Sequence, residues 1–541
     1  MDKKGLPEFS MPMFRSGVPQ KVRPWIYAVF ILCFQLSGGV YLGSSAQMFG
    51  SLSLMREDIV MCLYVSLAGM AIYFPILFRM KFRFTNQSLL VAASLTMALA
   101  NFLVTRVESL PLLWAICFLA GAAKIQGTFE CMSNIQLWIT RSRDMRTFFP
   151  ALHIFLLCGM QLSDLVTVHV AYHTNWHMMH YLIIGIMLTV CFLVLVLTRN
   201  VRLIPKVPLS GIDWTGAVLW LLFSLQLLYI FNYGEWHDWY HSPEIRVMTG
   251  TTLITFGAAI HRMLYTYHAY YDRRLWTFKY MKQILVLIML TELFFATENA
   301  LESVFLRVGM HYDVLNDASL DWAVLAGALT GSGVTFLCMR VVGIHYYRML
   351  SIGMIGQTLY LATMYFMMDT SLSIEMLYLP CFLRGFAYVA LSATYFICLF
   401  DAMNFTTFFQ SVSLFNMIHM SLGGAVGGAL YGFGLRYLVR DNIARYSVYI
   451  DNVQQSLAAG QTREWISGFM ENMQLISLKQ LYGYVLWASI IVTIAYLAYD
   501  RPEVRRGVKK LPYWRDLAET VGQSVLLRKW SKEKHIERHS R

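Results

Sequence analysis

Apolar segments long enough to cross a bilayer recur along most of this chain, and no soluble core could absorb them. A hydrocarbon layer roughly 30 Å thick takes about 20 apolar residues of helix. Windows of that length place spans near 25–46, 59–78, 87–104, 110–138, 148–171, 181–198, 214–231, 247–264, 283–306, 321–339, 350–368, 376–400, 407–435 and 481–499. Backbone polar groups in hydrocarbon must be satisfied within their own segment, so each open-ended run reads as a helix. With 57% hydrophobic and only 14% charged residues, against about 25% charged in soluble chains, the expected fold class is an all-α polytopic membrane protein. The count is about fourteen transmembrane helices, with Asp401 to Thr406 alone separating two of the runs.

Orientation follows from the basic residues, which concentrate in short loops on the cytoplasmic side. Arg79, Lys81 and Arg83 follow the second run, Arg141, Arg143 and Arg146 the fourth, and Arg199, Arg202 and Lys206 the sixth. Arg262, Arg273, Arg274, Lys279 and Lys282 follow the eighth, while the facing loops are mostly poor in basic residues. Both tails are basic too, which predicts cytoplasmic termini and an even number of spans. The net charge of +12 is thereby read as topology and contact with anionic lipid, not as nucleic-acid binding. Gly43-Ser44-Ser45-Ala46 resembles a signal-peptidase site, but its long apolar core and basic leader predict a retained first helix.

Ionisable side chains inside these runs cost roughly 2.5 to 3.5 kcal/mol each on insertion scales, so each invites a functional explanation. The fourth run holds Lys124, Gln126, Glu130 and Asn134, the fifth His153 and Asp164, the ninth Glu292, Glu298 and Glu302, the twelfth Arg384 and the thirteenth His419. At a rise of about 1.5 Å per residue, Glu292 lies near the midplane, and Lys124 is at a similar depth. The two are expected to face each other across a cavity. A carboxylate whose burial changes as the site opens and closes is suited to carrying protons, which makes Glu292 or Glu298, with Glu130 and Asp164 as rivals, the proton-coupling candidates. Lys124, Gln126, Asn134 and Arg384 are the cavity candidates. The competing reading is static pairing, Lys124 with Glu130 or Arg384 with an acid of the ninth run.

Other chemistries find little support. No GxxxxGK[ST] phosphate loop, GxSxG elbow or HExxH helix occurs, so neither a primary energy source nor an enzyme active site is expected. All nine cysteines fall inside apolar runs without a CxxC pair, which argues against structural disulfides and zinc knuckles. His169, His173, His177 and His180 have near-helical spacing, but a helix end near Tyr172 would divide them, so no metal or cofactor is expected. Residues 436–480 are read as an outside loop with short amphipathic helices around Ile443 to Leu457 and Thr462 to Met473. The tail after Arg501 is read as an interfacial helix or a basic topology anchor.

Several ordered motifs together resemble the fourteen-span drug:proton antiporter branch of the major facilitator superfamily. Gly211-Ile212-Asp213-Trp214-Thr215-Gly216 is similar to that branch's "iDwxG" opening of the seventh span, and Gly234-Glu235-Trp236-His237-Asp238-Trp239 to its following loop. Asn175-Trp176-His177 resembles the start of its sixth span, Ile125-Gln126-Gly127 part of "RxxQGxG", and Leu422-Gly423-Gly424-Ala425-Val426-Gly427 its "lGgslG". Arg79-Met80-Lys81-Phe82-Arg83 keeps the basic residues of the family's gating loop without its Asp and Gly, and Ala123 stands where its Arg is usual.

The resemblance implies two six-helix bundles with an inserted helix pair. It divides the chain into a basic tail (1–24), an N-terminal bundle (25–198), the inserted pair with its flanking loops (199–282), a C-terminal bundle (283–500) and a second basic tail (501–541). It further implies an exporter of amphipathic or toxic small molecules, driven by proton entry across a bacterial inner membrane. A periplasmic adaptor and an outer-membrane channel are the partners such pumps use. A transporter of one specific metabolite, and a sensor or scaffold retaining the fold, are the alternatives.

Overall fold

The computed structural model describes residues 11–498 apart from 12, 53, 141–143, 202–205, 279–280, 313, 370–371 and 448–461. Among the described residues the chain forms fourteen helical rods, numbered here in chain order: α1 (Arg23–Leu36, resumed as Ser45–Leu52), α2 (Arg56–Arg83), α3 (Asn86–Val104), α4 (Leu110–Ile139), α5 (Met145–His173), α6 (Trp176–Leu197) and α7 (Trp214–Tyr233). They continue as α8 (Pro243–Tyr265), α9 (Met281–Gly309), α10 (Val314–Phe336 with Leu337–Val342), α11 (Tyr346–Met367), α12 (Tyr378–Ala402), α13 (Phe405–Asn416, Met417–Leu422 and Gly423–Ser447) and α14 (Thr462–Ala498). Eleven are long and apolar enough to cross a membrane; the others are the broken α1, α8 and the three-part α13. The chain is thus a multi-pass membrane protein.

Local chemistry sets many of the rod ends. Thr85, Asp144, Asp213 and Ser242 each accept a backbone N–H from the first turn of α3, α5, α7 and α8, as capping residues do. Pro243 occupies the first position of α8, where its missing N–H costs nothing. At the far end of α10, Gly343 turns the chain at φ +76°, a conformation without penalty only for glycine.

Two bundles share one packing plan. In the first, α4 packs on α1, α2 and α3; in the second, α12 packs on α9, α10 and α11 in the corresponding way. Glycines allow the closest crossings. A Cβ on Gly69 of α2 would stand 2.7 Å from the Phe118 carbonyl oxygen of α4, and one on Gly331 of α10 would stand 2.6 Å from that of Phe386 on α12. The bundles meet along two seams, α5 against α10 and α12, and α2 against α13. Ser332 donates to the Pro150 carbonyl across the first at 2.8 Å, and Ser413 to the Ala71 carbonyl across the second at 2.7 Å.

The inserted pair α7–α8 lies over the α2–α13 seam and touches both bundles. Tyr233 donates to Asp58 (2.5 Å) and Asn232 to the Glu57 carbonyl (2.7 Å), both on α2, while Glu235 pairs with Arg436 on α13. At the other end Tyr271 shares a hydrogen bond with Ser413 at 2.7 Å.

Three features differ from the sequence expectation. The first span is not continuous: Ser37 leaves the helix in an extended conformation and the rod resumes at Leu42, because the run Ser37-Gly38-Gly39 is a poor helix former. Arg79, Lys81 and Arg83 lie within the last turns of α2, not in a loop. The expected outside loop 436–480 is largely helix that prolongs α13 to Ser447 and begins α14 at Thr462, since continuing a formed helix costs no new nucleus. The stretch from 448 to 461 and the tail from 501 lie outside the described residues.

Asp213 ties the inserted pair together. Its carboxylate accepts from the Gly216 N–H at 2.9 Å and pairs with Arg262 of α8 at 2.7 Å. Burial favours its neutral form, but the hydrogen bond and charge of Arg262 with the Gly216 and Tyr270 N–H groups outweigh this and hold the carboxyl below its usual range. The stabilisation is therefore present above the ordinary carboxylate pKa and is lost as pH falls through the lower folded value. Asp213→Ala should lower stability by about 1–2 kcal/mol and weaken the acid sensitivity of unfolding, as read by thermal unfolding in detergent across pH.

Candidate functional site

The buried charges collect into separate clusters. Near mid-depth, about 16 Å along α9 from Met281, Glu292 Oε1 meets His419 Nδ1 of α13 at 2.5 Å, the two side chains being 10% and 7% exposed. His419 sits in the π-helical segment Met417–Leu422, a widened turn that re-aims side chains and recurs at functional sites. Its ring is held between Tyr388 of α12, stacked at 5.0 Å and 22°, and Phe415 at 4.8 Å. One turn beyond His419, Gly423 lies directly against Glu292 Cβ, so α9 and α13 approach closely enough for the pair to form. His153 of α5 points toward this region from the other bundle. Its Nδ1 donates to the Phe149 carbonyl at 2.8 Å and its ring packs edge-on to Phe396 at 5.2 Å, which leaves Nε2 as its acceptor.

Nearer the other end of α9, Arg384 of α12 bridges Glu298 at 3.0 Å and Glu302 at 2.9 Å. Both acids belong to the π-helical stretch Glu298–Glu302, which places them on one side. Tyr360 also donates to Glu302 at 3.0 Å and Tyr482 to the Tyr360 hydroxyl at 3.2 Å. Glu302 is enclosed, whereas the Glu298 side chain is 40% exposed.

A third cluster occupies the opposite, basic end of the first bundle. Lys81 of α2 reaches Glu130 and Asn134 of α4, each at 3.4 Å, and Ser133; Asn86 donates to Glu130 at 2.7 Å and Tyr27 to Asn86 at 2.9 Å. At the same end the bundles are linked by Arg340 to Asp144 at 3.2 Å and Arg146 to Asp401 at 4.0 Å. Glu130 and Asn134 are thereby grouped with Lys81, well away from Glu292.

The remaining candidates are dispersed. Lys124 does not face Glu292 and pairs with neither Glu292 nor Glu130; its ammonium donates to the Gln35 carbonyl of α1 at 2.9 Å. Gln126, two residues on, is turned about 200° from Lys124 around α4, buried with both amide atoms unpartnered among the described residues. Asp164 on α5 is exposed and stands against Gly43. Of the histidine row, His169 and His173 stack at 6.4 Å on α5, whereas α6 carries His177 and His180, and His180 bonds Asn101 at 3.0 Å. The charged members of the Glu292 and Arg384 clusters were visible in the sequence as ionisable residues in apolar runs. Tyr388, Phe415 and Tyr360 carried no such signal among 31 tyrosines and 35 phenylalanines.

No family model matches the chain, and no curated protein matches it in sequence. Solved structures do match in fold. A point mutant of the nucleoside transporter NupG superposes with a TM-score of 0.54 at 13% identity, covering 88% of this chain and 99% of that one. An auto-inhibited peptide transporter of the POT family gives 0.55 at 14% identity, covering 91% and 99%. The human organic anion transporter MFSD10 gives 0.50 at 10%, covering 87% and 100%. The architecture is thus of the major facilitator type, and the match does not resolve the drug:proton antiporter branch within it.

Truncating one partner of a buried ion pair strands the other charge, at a cost of about 3–5 kcal/mol. Arg384→Met should lose stability on that scale in thermal unfolding. Adding Glu302→Gln, which removes the enclosed one of the two stranded acids, should recover most of the loss.

Proposed function

We propose that this protein is a proton-coupled secondary transporter that exports amphipathic or toxic small molecules across a bacterial inner membrane, with Glu292 as the proton-carrying acid. The observation that carries this reading is the Glu292–His419 pair, enclosed at mid-depth where α9 meets α13. Among the described residues the close charged partner of Glu292 is a histidine, which can itself be neutral, so the pair can hold one proton or two, and taking up the second from outside and releasing it inside carries one proton per cycle. The π-turn carrying His419 is a locally irregular segment of the kind that recurs at functional sites. Arg384 holds Glu298 and Glu302 by permanent charge, which favours a positioning role for those acids, and Glu130 is committed to Lys81 in the same way.

In this reading the bundles rock about the α2–α13 and α5–α10 seams, and substrate reaches Glu292 and His419 between them. The ion pairs Arg340–Asp144 and Arg146–Asp401 latch the basic end, taken as cytoplasmic together with both termini from the distribution of Lys and Arg. Lys81 with Arg79 and Arg83 acts at that end as the gating segment. The opposite ends of α13 and α14, which reach Ser447 and begin at Thr462, would receive a periplasmic adaptor that connects to an outer-membrane channel.

Proton flux evoked by lipophilic solutes in proteoliposomes tests the assignment. Glu292→Gln should reduce it by about tenfold or more, while Glu298→Gln should retain most of it. Equal flux in wild type and Glu292→Gln would move the proton to another acid. No flux with any solute would favour a transporter of one specific metabolite or a non-transporting sensor.

A further inference from the structure

Glu292 has His419, Arg384 has Glu298 and Glu302, and Glu130 has Lys81. Lys124 differs from these. Half-buried near the middle of α4, its ammonium makes one hydrogen bond, to the Gln35 carbonyl at 2.9 Å, and among the described residues it has no charged partner. An ammonium carries three donors, so two remain uncommitted.

The carbonyl it touches belongs to the break in α1. There the helix stops and its last carbonyls lose their intrahelical donors. Three of them are met by side chains instead, Phe34 by Ser37 at 2.8 Å, Gln35 by Lys124 and Leu36 by Ser163 of α5 at 2.9 Å, and just past the helix end the Gly38 carbonyl is met by Asn101 of α3 at 3.0 Å. The C-terminal end of a helix presents about half a negative charge. It therefore balances only part of the Lys124 charge, and the remainder calls for an anion. Asp164 stands on the far side of the break, against Gly43. The two spare donors near Gln35 are thus the favourable place for one.

We propose that Lys124 is the binding site for the anionic group of the transported solute, a carboxylate or comparable oxyanion on an apolar body. Binding engages the two spare donors and draws the ammonium away from Gln35, which couples the solute to the first half of α1. The inference rests on the transport reading only for the role of the anion as cargo.

Equilibrium binding to the purified full chain in detergent tests it with three fluorescent probes of one body, pyrenebutyrate, pyrenebutanol and a pyrenyl alkylammonium. Wild type should bind the carboxylate saturably and more tightly than the alcohol or the ammonium. Lys124→Met should weaken the carboxylate by about tenfold or more, the scale of one charge contact, and leave the alcohol unchanged; Lys124→Arg should retain the preference. Lys124→Gln keeps a donor for Gln35 without the charge, so it distinguishes loss of the anion site from loss of the fold should Lys124→Met not fold. Equal carboxylate affinity in Lys124→Gln and wild type, or a wild type that favours the alcohol or ammonium or binds none of the three, would overturn the proposal. Lys124-dependent binding without proton flux in proteoliposomes would overturn the proton-coupled export reading and support this site.

Discussion

Close backbone contact at two glycine-lined crossings, α2 on α4 and α10 on α12, sets the frame on which the rest of the structure depends. In hydrocarbon the usual solvent-driven force between helices is absent, so association rests on van der Waals contact and on polar groups that find partners. Gly69 and Gly331 bring carbonyls of the partner helix to positions a side chain would occupy. Once α4 and α12 are fixed at the centre of their bundles, Lys124, Glu130 and Arg384 take the depths they have. Each cluster of charge is a consequence of that placement.

The first bundle organises its polar side chains around a break in α1 and a basic end, whereas the second organises them around helices with π-helical turns. In α9 and α13 the widened turns fall on the segments that carry Glu298, Glu302 and His419. Both devices make a helix locally irregular at membrane depth, where every freed carbonyl needs a donor. That requirement explains why Lys124, Ser163 and Asn101 converge on α1. The inserted pair adds a further constraint, because it grips α2 through Asp58 and Glu57 and α13 through Arg436. It therefore spans the seam about which the bundles would move.

Much of the frame was legible from sequence, and the particular misses are instructive. Apolar run length alone located the rods, including α12 and α13, which Met403 and Asn404 separate. The break in α1 was missed because Ser37-Gly38-Gly39 lies inside an otherwise apolar run, and hydropathy does not register helix propensity. The extensions of α13 and α14 were read as separate short helices in a loop, because their outer turns are polar. Arg384 with an acid of α9 was among the pairings weighed from sequence, whereas Glu130 turned out to face Lys81, 49 positions away, not Lys124.

By itself the sequence determined the class of molecule, since charge and apolar length are local quantities and a bilayer selects on them directly. It also determined which side chains could carry charge within the layer. The partnerships of those side chains were decided by tertiary structure alone. A helix of 3.6 residues per turn presents neighbours such as Lys124 and Gln126 to opposite sides, so a difference of two positions separates a donor at the α1 break from an amide enclosed in packing. Whether an acid faces arginine, lysine or histidine depends on crossing geometry that glycine contacts set, and no single segment of the chain contains that information.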